Sequence, residues 1–252
     1  MALSAVAMLV LFLAPPLATW ARRYEYVQAL QFCVFGVFVP ALLVAGAPWR
    51  RLGIASRDAP VFGEDGALLS PTRPRALDRV ALAHLRHSGH RRAVLAVVAF
   101  ALLALGWRLG LAGDALSRHA WLAPLEAVSL LVAGAVLWLD LVESPPVSPG
   151  VPRPYRIAMA TASMWIVWVF TYLVAQSRGS WYPAFHHVAG QGLSLVADQQ
   201  WATGVLWMGS AIAFMPVIFW NLVHWLASEE DPDDELHRLV RDHRTFGYDV
   251  KG

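Results

Sequence analysis

The run from Ser194 to Leu226, SLVADQQWATGVLWMGSAIAFMPVIFWNLVHWL, constrains this chain more than any other stretch. Its apolar part, Trp201 to Leu226, exceeds the roughly 20 helical residues that cross a ~30 Å hydrocarbon layer. Inside lipid the backbone has to satisfy its own polar groups, and a helix does so within one segment. A polar triplet, Asp198-Gln199-Gln200, stands at the entrance of this span. A carboxylate and two amides there are costly unless they face water or protein partners.

The rest of the chain agrees with a membrane protein. Of 252 residues 57% are hydrophobic and only 15% charged, against about 25% charged in soluble domains. The expected fold class is therefore all-α, a polytopic helical bundle in the membrane. The net charge of +2 gives no reason to expect a nucleic-acid partner. The single cysteine, Cys33, excludes an intrachain disulfide and any Cys-x-x-Cys metal or redox motif. In an apolar run it reads as a small packed residue.

Apolar runs predict about six spans, at 2–20, 25–46, 92–110, 121–142, 156–177 and 201–226. The first lacks the basic start of a secretory signal and reads as a retained span, with Pro15-Pro16 kinking or shortening it. With six spans, one side of the membrane receives 15 basic residues and the other only five, Arg22, Arg23, Arg108, Arg118 and Arg178. The positive-inside rule then puts both termini in the cytoplasm and the Asp198–Gln200 end outside, toward periplasm or exterior. The expected domains are a bundle over 1–227, with a cytoplasmic loop at 49–91, and a charged cytoplasmic tail over 228–252.

The second half of that loop, PRALDRVALAHLRHSGHRR, has apolar residues at helical spacing amid arginines. Such a basic amphipathic helix lies on anionic membrane lipids. His84, His87 and His90 are spaced to gather a metal, but Gly89 weakens a helix there.

Polar residues collect at the expected outer ends of the spans. They include Glu25 and Gln28, Arg108, His119, Glu126 with Ser129, Tyr182, His186, His187, and Asp198-Gln199-Gln200. Two readings compete. In one, His119, His186 and His187 join carboxylates in a metal or proton site. In the other, Glu25, Glu126 and Asp198 pair with Arg22, Arg23 or Arg108 and cap helix starts, where the helix dipole favours acids. No nucleophile–base pair, Gly-rich phosphate loop or nucleophile elbow is present, so an enzyme is not expected.

Four segments resemble the CtaG-type cytochrome c oxidase assembly factors. Asp198-Gln199-Gln200, then Gly204 and Trp207-Met208, is similar to that family's Asp-Gln-Gln…Gly…Met-Trp span. Gln28, an apolar run and Gly46-Ala47-Pro48 resemble a second motif; Trp107-Arg108-Leu109 resembles Trp-His-Leu-Pro. Leu125-Glu126-Ala127-Val128-Ser129, then Gly134 and Trp138, resembles His-x-Leu-Glu-His-x-Ser…Gly…Trp. The likeness covers about residues 25 to 226 and keeps the family order. At the positions of the family's histidines, however, this chain carries Glu25, Ala29, Arg108, Ala123 and Ala127. Alanine has no ligating atom, and a lone carboxylate suits hard cations better than copper.

The resemblance implies work with heme-copper oxidase subunits or another respiratory complex, in assembly or association. The expected cofactor is none, with copper the one to test. Alternatives are a permanent accessory subunit of a respiratory membrane complex, and an outer-face copper chaperone or transporter with a rebuilt site at His119, His186 and His187. The retained Gln28, Glu126, Asp198 and Gln199 are then expected to support metal ligands or make helix–helix contacts, and Asp198-Gln199-Gln200 mainly to cap the last span and join it to its neighbours near Gln28 and Glu126.

Overall fold

A computed structural model describes residues 1–48, 89–119, 121–144, 149–182, 185 and 193–227. The expected loop helix, with His84 and His87, lies outside the described residues, as do His186, His187 and the charged tail. All elements containing described residues are helical: α1 (Ala2–Leu13), α2 (Leu17–Ala21), α3 (Glu25–Ala45), α4 (His90–Trp107), α5 (Gly110–Arg118), α6 (Leu122–Leu141), α7 (Arg153–Ala175) and α8 (Leu195–Leu226). Among them five, α3, α4, α6, α7 and α8, are long and apolar enough to cross a membrane. They start and end within three residues of the expected spans, except that α8 begins six residues early.

The first expected span is broken, and the full-length spans among the described residues number five rather than six. Pro15 and Pro16 bring no backbone N–H, so the carbonyls of Leu11 and Phe12 lose their helical donors four residues on. The chain ends α1 at Leu13 and restarts as the short α2. Gln31 on α3 supplies what Pro16 lacks, its Nε2 donating to the Phe12 carbonyl at 2.7 Å. α1 packs along the second half of α3 and α2 along the first, so together they run the length of that helix.

The bundle is built around α3, not around the long last helix. α3 packs against α1, α2, α6 and α8, while α4 lies on α6 and α7, and α7 runs along α8. Val27, Ala29, Phe32 to Phe35, Val37, Val39 and Val44 are all buried. The last helix instead shows Trp201, Trp207, Met208, Ile212, Phe219 and Trp220 at its surface. An apolar face of this kind is what a lipid-facing helix presents.

Near its middle α3 widens into a π-helical segment, Val34–Phe38, where the Val39 N–H bonds to the carbonyl five residues back at Val34. Pro40 follows, and cannot donate to the Gly36 carbonyl. α6 crosses at this point through Gly134. A methyl there would strike the Gly36 oxygen and lie 2.7 Å from the Pro40 ring. On the other side Gly209 of α8 lets the buried Cys33 in, as a methyl would meet its Sγ at 2.7 Å.

One end of the bundle is tied by Arg92, whose Nη2 pairs with both oxygens of buried Asp140 at 3.0 and 3.2 Å. There Ser144 also donates to the Val44 carbonyl at 2.5 Å, and Asn221 to that of Leu141 at 3.4 Å. The opposite end holds the polar residues singled out from the sequence.

Candidate functional site

The polar end is assembled where α3, α6 and α8 begin and α4 and α7 stop. Asp198 sits one turn into α8, not ahead of it, because Ser194 caps that helix, its Oγ accepting from the Ala197 N–H at 3.1 Å. The carboxylate of Asp198 therefore serves a different helix. Its Oδ2 accepts from the Glu25 N–H at 2.9 Å and its Oδ1 from the Tyr26 N–H at 3.1 Å. Those two donors are among the four a helix leaves unpaired at its start. A negative charge there also meets the positive end of the α3 dipole. Tyr24, at the cap position of α3, makes no side-chain cap bond of its own.

With its backbone held this way, Glu25 turns its side chain to α4. Arg108, just past the end of α4, donates from Nη2 to Glu25 Oε1 at 3.2 Å and from Nη1 to Gln28 Oε1 at 3.4 Å. Both charged side chains are buried, Arg108 3% and Glu25 1% exposed. The guanidinium carbon lies 5.0 Å from the centre of the Tyr182 ring, a cation–π distance. The Tyr182 hydroxyl donates to the Arg108 carbonyl at 2.6 Å. Burial raises the pKa of that phenol against the opposing pull of Arg108.

Gln199 closes the end of α7. Its Nε2 donates to the Val174 carbonyl at 3.1 Å, and its Oε1 accepts from the Trp181 N–H at 2.8 Å. The 181–182 stretch is thereby laid on α5, where two glycines make room. A methyl on Gly110 would meet the Trp181 carbonyl at 2.8 Å and one on Gly113 the Tyr182 ring at 3.1 Å. Trp107 donates to Ser129 Oγ at 2.8 Å, and Ser129 in turn to the Glu126 carbonyl at 3.0 Å, which joins α4 to α6.

The structure thus brings Glu25, Gln28, Arg108 and Asp198 into one connected network and places Gln199 beside it. Gln200 points away and lines an apolar groove between α7 and α8 with Trp165, Trp168 and Trp207. Glu126 is buried and shares with Gln28 the lining of a cavity beside the network, and His119 is exposed near Trp121. Gln31, Asp140 and Asn221 also hold helices together, outside the residues expected at the polar end. Each was visible as a lone polar residue in an apolar span, and Asp140 as the charge complement of Arg92 at the same end.

These residues do not fit copper at the family's histidine positions. Ala29 and Ala127 are buried and without ligating atoms, and Ala123 lines a cavity. Arg108 brings a fixed positive charge, since a guanidinium does not deprotonate in proteins. One Glu25 oxygen is bound by that guanidinium and both Asp198 oxygens by backbone N–H groups. Among the described residues no three of His, Cys, Asp and Glu stand close enough to share a metal ion.

No curated protein and no solved structure matches the chain significantly. The sequence pattern described as cytochrome c oxidase caa3 assembly factor (Caa3_CtaG) matches residues 2–228, the whole of the described bundle. That pattern takes in all five spanning helices and the polar network at their ends, and the chain belongs to this family of caa3 oxidase assembly factors.

Proposed function

We propose that this chain acts in the assembly of a caa3-type cytochrome c oxidase, or in association with it, by helix packing in the bacterial inner membrane and without copper at the family's histidine positions. One observation carries the second half of the proposal. Arg108 and Glu25, at two of those positions, are paired with each other across 3.2 Å in a buried site. A fixed guanidinium at one position repels a cation, and the carboxylate at the other is already compensated by it. What remains is a rigid polar end that fixes five helices, and an apolar perimeter on which oxidase subunits pack. Family membership supports the partner, and the absence of a nucleophile–base pair in the sequence supports a non-catalytic role.

The test is made in the native membrane. The chain is deleted, and assembled oxidase is counted by its heme and copper spectra and by native gel. Loss of assembled oxidase, restored by the wild-type chain, is the expected result. The tagged chain is expected to co-purify with immature oxidase. Stoichiometric recovery with the mature enzyme would instead make it a permanent accessory subunit. Copper at one equivalent in the purified chain, lost on His119→Ala, His186→Ala or His187→Ala, would replace the packing role by copper delivery from a rebuilt outer site.

A further inference from the structure

The polar network leaves one buried acid out. Glu126, one turn into α6, is 5% exposed and makes no side-chain hydrogen bond or ion pair among the described residues. It lines a cavity of about 340 Å³ bounded by the end of α1 and by α2, α3, α5 and α6. A water occupies about 30 Å³ in the liquid, so this space has room for a headgroup-sized ligand. Arg108 acts on Glu126 electrostatically but is already bonded to Glu25 and Gln28, so burial still disfavours its bare carboxylate.

The other polar groups on the wall define what fits. Arg22 lines the same cavity from an exposed position, where its guanidinium reaches solvent. Gln28 uses its oxygen on Arg108, which leaves its amide N–H groups as donors. Gln31 uses its nitrogen on Phe12, which leaves its oxygen as an acceptor. The cavity therefore offers two acceptors, Glu126 and Gln31, and two donors, Gln28 and Arg22. The rest of the lining, including Leu13, Leu116 and Phe185, is apolar. A simple cation would satisfy Glu126 and meet the like charge of Arg22. A simple anion would meet the reverse conflict.

We infer that this cavity binds a zwitterion carrying a primary ammonium and a phosphate, with the ammonium on Glu126 and Gln31 and the phosphate on Arg22 and Gln28. The headgroup of an amine-bearing phospholipid has this chemistry, and so does a free phosphoamine. The apolar walls and the position at a bundle end in the membrane favour the lipid.

The full chain, purified in detergent, is exchanged into nanodiscs of phosphatidylethanolamine, phosphatidylcholine or phosphatidylglycerol. Bound lipid is counted by native mass spectrometry, and thermal unfolding is followed in parallel. One phosphatidylethanolamine is expected to remain bound and to raise the unfolding midpoint above that in the other two. A charge-assisted hydrogen bond is lost in E126Q, which is expected to weaken that binding about tenfold or more. R22Q, altered at an exposed position, is expected to weaken it several-fold. Soluble phosphoethanolamine forms a separate arm: if it competes as well as the lipid, the physiological ligand is the free zwitterion. Equal retention of the three lipids, with no effect of phosphoethanolamine, overturns the inference. So does an E126Q chain that binds like wild type. Sensitivity to E126Q with indifference to R22Q makes the ligand a plain cation, which also overturns it. Should E126Q fail to fold, R22Q decides by itself.

Discussion

Arg108 and Glu25 give the sharpest test of how the polar end is held. The perturbation is a double-mutant cycle of Arg108→Met and Glu25→Gln, chosen to change charge with little change of volume. Each single variant removes one partner of a buried pair and leaves the other uncompensated, which costs about 3–5 kcal/mol. The geometry points to the upper part of that range for Arg108→Met. That variant also loses the 3.4 Å bond to Gln28 and the ring contact with Tyr182. Glu25→Gln keeps an oxygen for one guanidinium N–H and falls nearer the lower part. In the double variant no charge is stranded, and replacing a buried pair by neutral groups of similar volume is often close to neutral. The two changes therefore do not add: singles that sum to about 8 kcal/mol and a double variant that costs far less put the coupling at about 3 kcal/mol or more, at or beyond the upper end for residues in direct contact. The assay is equilibrium unfolding in mixed micelles titrated with a denaturing detergent, read by tryptophan fluorescence. A double variant that costs as much as the two singles together would show that the pair does not hold α3 to α4.

Asp198 caps α3 from another helix, so Asp198→Ala strands the Glu25 and Tyr26 N–H groups and should cost about 1–3 kcal/mol for each. Asp198→Asn keeps one acceptor and should cost less, both read in the same micelle titration; equal losses would mean that charge alone matters. Gly134→Ala drives a methyl into the Gly36 carbonyl and the Pro40 ring and should cost about 1–3 kcal/mol by overpacking. Gly204→Ala, with open space around its methyl, should be close to neutral, and a similar loss at both positions would refute the close crossing of α3 and α6. Gln31→Leu removes the donor to the Phe12 carbonyl and should cost about 1–3 kcal/mol while making the break between α1 and α2 more open to limited proteolysis. An unchanged cleavage pattern would show that Gln31 does not hold the broken first segment.

The five long helices were legible because hydropathy over about 20 residues is a local signal. The failure of the first span was half legible. Pro15-Pro16 announced a break, but the compensating Gln31 lies 19 residues beyond the carbonyl it serves and only the fold brings them together. The same reason explains Asp198. Placed near a helix start, it reads as a cap of α8, yet Ser194 already fills that position and the carboxylate reaches a helix 173 residues earlier in sequence. Arg108 was legible as a departure from a family motif and illegible as the partner of Glu25, which is 83 residues away. Sequence spacing reports which residues share a helix face, not which helices share a side chain. The prominence of the last span misled for a related reason. Hydropathy measures the capacity to be buried in lipid or protein, and α8 spends much of it on lipid while the shorter α3 takes the centre.

The network also decides whether a copper site could be recovered by restoring histidine. Arg108→His is the obvious single change, because it rewrites Trp107-Arg108-Leu109 as the family's Trp-His-Leu. It removes the positive charge and provides one imidazole. It does not supply a second strong ligand nearby, because Ala29 is 0% exposed and Ala127 2% exposed, and both lie in packed contacts. A histidine at either position needs space that close-packed neighbours do not leave, at a cost of about 1–3 kcal/mol for overpacking. Glu25, freed of Arg108, presents an oxygen that is a poor match for Cu(I) and a modest one for Cu(II). Asp198 stays committed to the start of α3. Arg108→His is therefore expected to lose the stability that the ion pair provides and to gain no copper, measured as metal per chain after equilibration with Cu(I) and gel filtration. One equivalent of copper bound by this single variant would mean that the remaining polar groups form a metal site after all. Absence of binding with an intact helical spectrum would place the barrier in the packing of α3 against α6, which a single ligand cannot undo.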